Sequence, residues 1–295
     1  MTLDQLYRRK DDYITSKLDK LSKEVGGMQR SLLEMIFEDY IGKFDTKDGK
    51  IVMNSKNMRL ITKIDNLFEK FDETIARGIN TKYGQDMLNV TSYNADYYRG
   101  MGLEASTINS LSKSLGAVEE SIGIVGGKIV KGSYLDDLTT MPEVRETLKN
   151  YVRTSVASSK GYQDYLTGFK NLVVGSPGVD GSLEKYYSQY AYDTFNQVDA
   201  SINNHFATNL GLKYFIYAGG LIATSRAFCI KRAGKVFSVA ETRTWKNDPT
   251  LIGKNKAGYN PLIERGRYRC CHTIRYITAE LACERGHKQA CREIK

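Results

Sequence analysis

Leu212-Lys213-Tyr214-Phe215-Ile216-Tyr217-Ala218-Gly219-Gly220 is the stretch that decides the fold. Upstream of it, apolar residues recur every three or four positions, the spacing of helices packed on one face. Within it, aromatic and β-branched residues run on without that spacing and glycines close the run, which is the pattern of a strand. The chain therefore reads as α+β, with long helices first and a small mixed unit at its C-terminal end. Working outward, the helix before this strand starts at about residue 183 and runs to Leu210, where Gly211 is suited to stop it. Its apolar face carries Leu183, Tyr187, Tyr190, Ala191, Phe195, Val198, Ile202 and Phe206. The segment Val174 to Ser182, rich in glycine and holding Pro177, reads as a linker, with Ser182 placed to cap the following helix. Downstream come Thr224-Ser225-Arg226-Ala227-Phe228-Cys229, a turn at Gly234, a strand over 235–239 and a short helix from Glu241 to Lys246 that holds Trp245. A loop with Gly253 and Gly258 leads to Gly266-Arg267-Tyr268-Arg269-Cys270-Cys271-His272, and helix returns from Thr278 to the end.

Toward the N-terminus the pattern is helical throughout. Residues 3–40 carry a seven-residue repeat, with Tyr7, Ile14, Leu21, Met28 and Met35 on one seam and Leu18, Val25 and Leu32 on the other. Such a repeat fits a coiled coil, by which the chain would pair with itself, and equally an amphipathic helix packed on its own neighbours. A small hairpin closed by Asp48-Gly49 is expected over 44–52. A second strong helix is expected over 56–79, with weaker ones over 84–98, 104–121, 142–157 and 160–172. The domains expected from this pass are a helical scaffold over 1–174, a linker over 175–182 and a basic α+β domain over 183–295.

Several function classes drop out on chemistry. The N-terminal segment is charged and lacks the apolar core of an export signal, and no run of 18 apolar residues suits a membrane span. Phe44 stands where a calcium loop would need its first oxygen ligand. The stretch Ile122 to Lys128 lacks the first glycine of a phosphate loop, and Ile129 replaces its hydroxyl residue; an interhelical turn is expected instead. An odd number of cysteines without an export signal points to reduced thiols.

Charge and soft ligands gather at one end. Residues 201–295 hold 17 Lys and Arg against 6 Asp and Glu, whereas the first 200 residues hold 26 against 28. All five cysteines (229, 270, 271, 283 and 291), all three histidines (205, 272 and 287) and the single tryptophan lie in that basic third.

The order of long helix, Tyr-rich strand, Ser-Arg-x-Phe-Cys, Gly-Lys-Val strand, Trp helix and Gly-x-x-x-Cys-x-His resembles the C-terminal domain of tailed-phage head morphogenesis proteins, the Mu F-like minor head proteins. The resemblance covers about residues 183–278. It departs from the family at Cys271, where arginine is usual. It implies a structural virion protein that acts in head assembly at or near the portal, in the host cytoplasm and then in the particle, with portal and capsid proteins as partners and packaged double-stranded DNA touched without sequence preference. Binding and assembly, rather than turnover, are the expected mode of action.

Arg226, Cys229, Trp245, Cys270 and His272 are the residues expected to form an internal structural cluster. Cys229, Cys270 and His272 also make a thiolate–imidazole set suited to zinc, although the spacing matches no standard finger; the same residues read alternatively as small buried groups, or Cys229 and Cys270 as a disulfide. Cys283, His287 and Cys291 fall at i, i+4 and i+8 on one face of the terminal helix. Lys254, Lys256, Arg265, Arg267, Arg269 and Arg275, interleaved with Tyr259, Tyr268 and Tyr276, are the candidate phosphate contacts. Two other readings compete: an effector enzyme carried in the particle, for which the six carboxylates of the basic third show no recognised spacing, and a zinc-stabilised DNA-binding protein that acts without sequence preference.

Overall fold

A computed structural model describes residues 1–253 and 258–294, apart from the side chains at positions 41 and 189. The chain is α+β, with long helices through its first two-thirds and a small antiparallel sheet near its C-terminal end. In chain order the elements are α1 (Leu3–Asp39), β1 (Thr46–Lys47), β2 (Lys50–Ile51), α2 (Ser55–Thr62), α3 (Ile64–Phe71), α4 (Arg77–Leu88), α5 (Val90–Gly100), α6 (Ala105–Lys113) and α7 (Gly116–Ile122). There follow β3 (Ile124–Val125), β4 (Lys128–Ile129), α8 (Tyr134–Thr140), α9 (Pro142–Ala157), α10 (Tyr162–Val174), β5 (Gly175–Ser176), β6 (Val179–Asp180) and α11 (Ser182–Asn209). The C-terminal elements are β7 (Tyr214–Ala218), α12 (Ala227–Ile230), β8 (Val236–Ser238), α13 (Pro261–Glu264), β9 (Thr273–Ile277), α14 (Ala279–Glu284) and α15 (Lys288–Glu293). No described helix is long and apolar enough to cross a membrane.

The chain divides into two compact units, and neither is continuous in sequence: one holds Met1–Tyr13, Met87–Val118 and Asp193–Lys295, the other Ile14–Asp86 and Glu119–Tyr192. This corrects the expected division at 175–182. That segment is a hairpin inside the second unit, Ser176 pairing with Val179 across Pro177-Gly178. A Pro-Gly pair reads as a linker by composition, but it is equally the chemistry of a tight turn, with Gly178 at φ +80°. The Ile124–Ile129 segment, expected as a plain turn, is a hairpin of the same kind. The Asp48-Gly49 hairpin stands where the sequence placed it.

In the second unit the buried stripe of α1 runs through Leu21, Val25, Met28, Leu32 and Ile36. Its spacing is that of a helix seated on its own neighbours, and Leu18 and Met35 of the expected seams are only half-buried. The helix expected over 56–79 is interrupted twice, by a break at Lys63 and by a π-turn over Asp72–Ala76. Its apolar side nonetheless stays continuous through Ile64, Leu67, Phe68 and Phe71, all buried.

The first unit is built on the sheet β8-β7-β9, antiparallel throughout. All five residues of β7 are buried, which is why the sequence shows an unbroken apolar run and not an alternation. Tyr214, Ile216 and Ala218 pack with Ile277, Ala282 and Ala290 on one face. Phe215 and Tyr217 meet Trp245 on the other, at ring-centroid distances of 6.0 and 5.8 Å. Buried polar side chains tie the helices to β9: Asn203 donates to the Ile274 carbonyl at 2.6 Å, and the Tyr97 hydroxyl donates to the Tyr276 carbonyl at 2.8 Å. Lys10 pairs with Asp199 at 2.9 Å, both side chains being almost wholly buried, and Asn94 bonds to each of them.

Candidate functional site: the Cys229–Cys270–His272 centre

Three separate segments bring the candidate residues together. Cys229 lies on α12, a single helical turn; its buried neighbour Phe228 packs on Trp245 at 5.8 Å. Cys270 ends the loop from Gly266, and His272 immediately precedes β9. The Cys229 and Cys270 sulfurs are 3.8 Å apart, and Cys270 Sγ is 3.9 Å from His272 Nδ1. The three donor atoms lie within 4.8 Å of one another, and all three residues are buried. The Tyr217 hydroxyl sits 3.4 Å from the Cys229 sulfur and 3.6 Å from that of Cys270, while its ring stacks on His272. Cys271 is exposed, with its sulfur 3.7 Å from His272 Nδ1.

The loop before Cys270 is held in an unusual backbone. Arg265, Arg267 and Arg269 have φ of +52°, +64° and +49°, a left-handed region that costs side-chain-bearing residues about 1–3 kcal/mol each. The alternation leaves the carbonyls of Gly266 and Tyr268 both within reach of Arg226, whose guanidinium donates to them at 3.4 and 2.6 Å. The Gly266 N–H donates to the Cys270 sulfur at 3.4 Å. Glycine is required at 266 for space: a Cβ there would stand 2.5 Å from Cys229 Sγ and 3.1 Å from Cys270 Sγ. The hydrogen bond between the two thiols holds the Cys270 thiol well below the usual range, with His272 and Arg265 adding to the effect, while the same bond and burial push Cys229 up.

Trp245 belongs to the same region. It packs edge-on against Phe215, Tyr217, Phe228 and Phe237. Arg232, which the sequence reading did not single out, is buried with its guanidinium over the rings of Phe228 and Trp245, at 3.7 and 4.5 Å, and pairs with Asp248 at 2.8 Å. In the sequence it stands next to Lys231 and close to Lys235, so nothing set it apart from a surface charge.

Among the described residues, the candidate phosphate contacts do not form one open face. Arg265 is buried and donates to the Asn196 carbonyl. Arg267 pairs with Glu264 at 3.4 Å and donates to the Ile252 carbonyl. Arg275 lies over the Tyr7 ring and pairs with Asp4. Only Arg269 among these is exposed, its N–H donating to Asp193 at 2.7 Å. Lys254 and Lys256 lie outside the described residues. The charge pattern overstated this segment because a cation held by a carbonyl or a ring reads the same in sequence as one in water.

The open basic surface lies elsewhere. A groove of about 850 Å³ beside β8 is lined by Lys235, Arg285, His287, Lys288 and Arg292, with Glu241 as the acid that pairs with His287 at 3.1 Å. It exists because the terminal helix is broken. Gly286, at φ +85°, ends α14, and His287 caps α15. Residues 283 and 291 thereby come to a Cα separation of 4.6 Å, where a continuous helix would hold them about 12 Å apart. They form a disulfide, so the expectation that all five thiols are reduced, along with that of a single Cys-His-Cys helix face, is corrected.

The cluster offers two sulfurs and an imidazole, a soft donor set with no carboxylate in it. No family model, curated protein or solved structure matches the chain.

Proposed function

We propose that this chain is a minor head protein of a tailed phage, which acts as a structural component in head assembly at or near the portal. The observation that carries this reading is the meeting of Cys229 with Cys270 and His272 across the Tyr217 ring. The motif order that resembles the Mu F-like family is thus also a spatial unit, in which the Phe-Cys turn and the Cys-x-His segment close on the central strand. The rigid aromatic and thiol packing of that unit suits a binding module, and its partners are portal and capsid proteins. Proteomic analysis of procapsids and mature particles from a host carrying the gene tests the reading. Peptides of this chain in procapsids, together with defective heads when the gene is deleted, are expected; its absence from both kinds of particle overturns the assignment.

A contact with packaged DNA is favoured by one specific observation, the groove lined by Lys235, Arg285, Lys288 and Arg292. Backbone phosphates are its natural ligands, and contacts to phosphates carry no base-sequence information.

A further inference from the structure

We propose that Cys229, Cys270 and His272 bind a single zinc ion through Sγ, Sγ and Nδ1, with the fourth coordination position facing the adjoining cleft. With zinc–sulfur bonds of about 2.3 Å and zinc–nitrogen bonds of about 2.0–2.1 Å, a tetrahedral centre sets its sulfurs about 3.8 Å apart and sulfur and nitrogen about 3.5 Å apart. The sulfurs here are 3.8 Å apart, Cys270 Sγ is 3.9 Å from Nδ1, and all three donors lie within 4.8 Å of one another, so a metal needs the imidazole to approach the sulfurs by up to about an ångström. A disulfide, by contrast, needs the same sulfurs to close to about 2.0 Å. Among the described residues, Cys283 and Cys291 do form such a bond, whereas Cys229 and Cys270 remain thiols.

The surroundings are those of a built site. Nδ1 of His272 faces only sulfur, and its Nε2 is buried without a hydrogen-bond partner, so no oxygen or nitrogen of the described chain satisfies this imidazole. Gly266 leaves room for both sulfurs, and its N–H points at one of them, the outer contact that stabilises a metal-bound thiolate. Gly219 leaves room for the imidazole, since a Cβ there would stand 3.1 Å from its Cδ2. A cleft of about 380 Å³, walled by Ser225, Arg226, Tyr268 and Cys271, reaches the three donors and supplies an entry path and a place for water as fourth ligand. Two thiolates offset the charge of the ion, which suits a centre as buried as this one. The proposal rests on these distances and not on the phage reading: a metal-loaded protein absent from phage particles would keep the one and lose the other.

The test uses the full chain, purified under reducing conditions and loaded with zinc or cobalt. About one zinc per chain is expected by elemental analysis, and the cobalt form is expected to show thiolate-to-metal absorption in the near ultraviolet with intense tetrahedral visible bands. Cys229→Ser, Cys270→Ser and His272→Ala should each reduce metal content at least tenfold, while Cys271→Ser retains it. Should those variants fold poorly, the wild-type protein decides alone: chelation should lower the unfolding temperature and zinc should restore it. A wild-type chain that binds neither metal in excess, a cobalt spectrum without thiolate absorption, a metal kept by all three ligand variants, or a Cys229–Cys270 disulfide in the reduced preparation would each overturn the proposal.

Discussion

Cys229 and Cys270 lie 41 positions apart in the chain, yet their sulfurs stand 3.8 Å from each other beneath the Tyr217 hydroxyl. That one contact joins the α12 turn to the loop entering β9 and so closes the C-terminal sheet unit. Gly266 is what permits it. Gly266→Ala is expected to destabilise the protein by about 1–3 kcal/mol, because the new methyl would stand 2.5 and 3.1 Å from two buried sulfurs and must displace them. Chemical denaturation measures this. Alanine at Gly220, whose Cβ would meet nothing within 4 Å, is the control.

Lys10 and Asp199 form the buried ion pair of the same unit. Lys10→Met leaves a carboxylate without its cation in a site closed to water, and a loss of about 3–5 kcal/mol is expected. The double variant Lys10→Met/Asp199→Leu should recover much of that loss, since replacing both partners by apolar groups removes the stranded charge. A double-mutant cycle in denaturant reads out the coupling.

Asp72 makes stability depend on pH. Burial pushes its carboxyl up to about 7, against the opposing pull of Arg145 at 3.2 Å. A folded pKa above the unfolded value means that the folded state keeps a proton that the unfolded chain releases. The contribution of Asp72 is therefore most favourable below about pH 4 and is lost progressively as pH rises toward 7. Asp11, raised to about 6 by burial, acts with the same sign. Asp72→Asn is expected to flatten the slope of unfolding free energy between these limits without abolishing it. An unchanged slope would show that Asp72 does not hold the proton.

The basic groove carries the DNA prediction. If its four Lys and Arg side chains each neutralise a phosphate, affinity for duplex DNA should fall with between the third and fourth power of salt concentration. Arg285→Glu/Lys288→Glu should abolish retention on a DNA column at moderate salt, whereas Arg275→Gln, at a side chain already committed to Asp4 and Tyr7, should leave it largely unchanged. Retention that is indifferent to the groove charges removes this contact.

Much of the architecture could be read from the sequence because its signals are local. The unbroken Tyr214–Ala218 run gave a central strand, Asp48-Gly49 gave a hairpin, and Gly211 gave a helix end. The residues of the thiol–imidazole centre were also legible, as chemically rare groups in a region otherwise poor in them. What the sequence hid was non-local. Nothing in the run of Ile14 or Met87 marks the points at which the two units exchange chain, because a helix continues through a domain boundary without any change of pattern. Arg265 and Arg275 looked like surface charges because their partners, the Asn196 carbonyl and the Tyr7 ring, lie 69 and 268 positions away. Gly286 looked tolerable inside a terminal helix, where in fact it ends one helix and lets Cys291 fold back on Cys283.

The Phe-Cys turn and the Cys-Cys-His segment meet in one centre, and thiol cross-linking reports that meeting. In a folded Cys271→Ser/Cys283→Ser/Cys291→Ser chain treated with chelator, a bis-electrophile that spans only a few ångströms should join Cys229 to Cys270. Mass spectrometry should then recover a single bridged peptide pair from the native protein and none from the denatured one. Native protein in which the two thiols are each modified singly, with no bridged pair, would contradict the account.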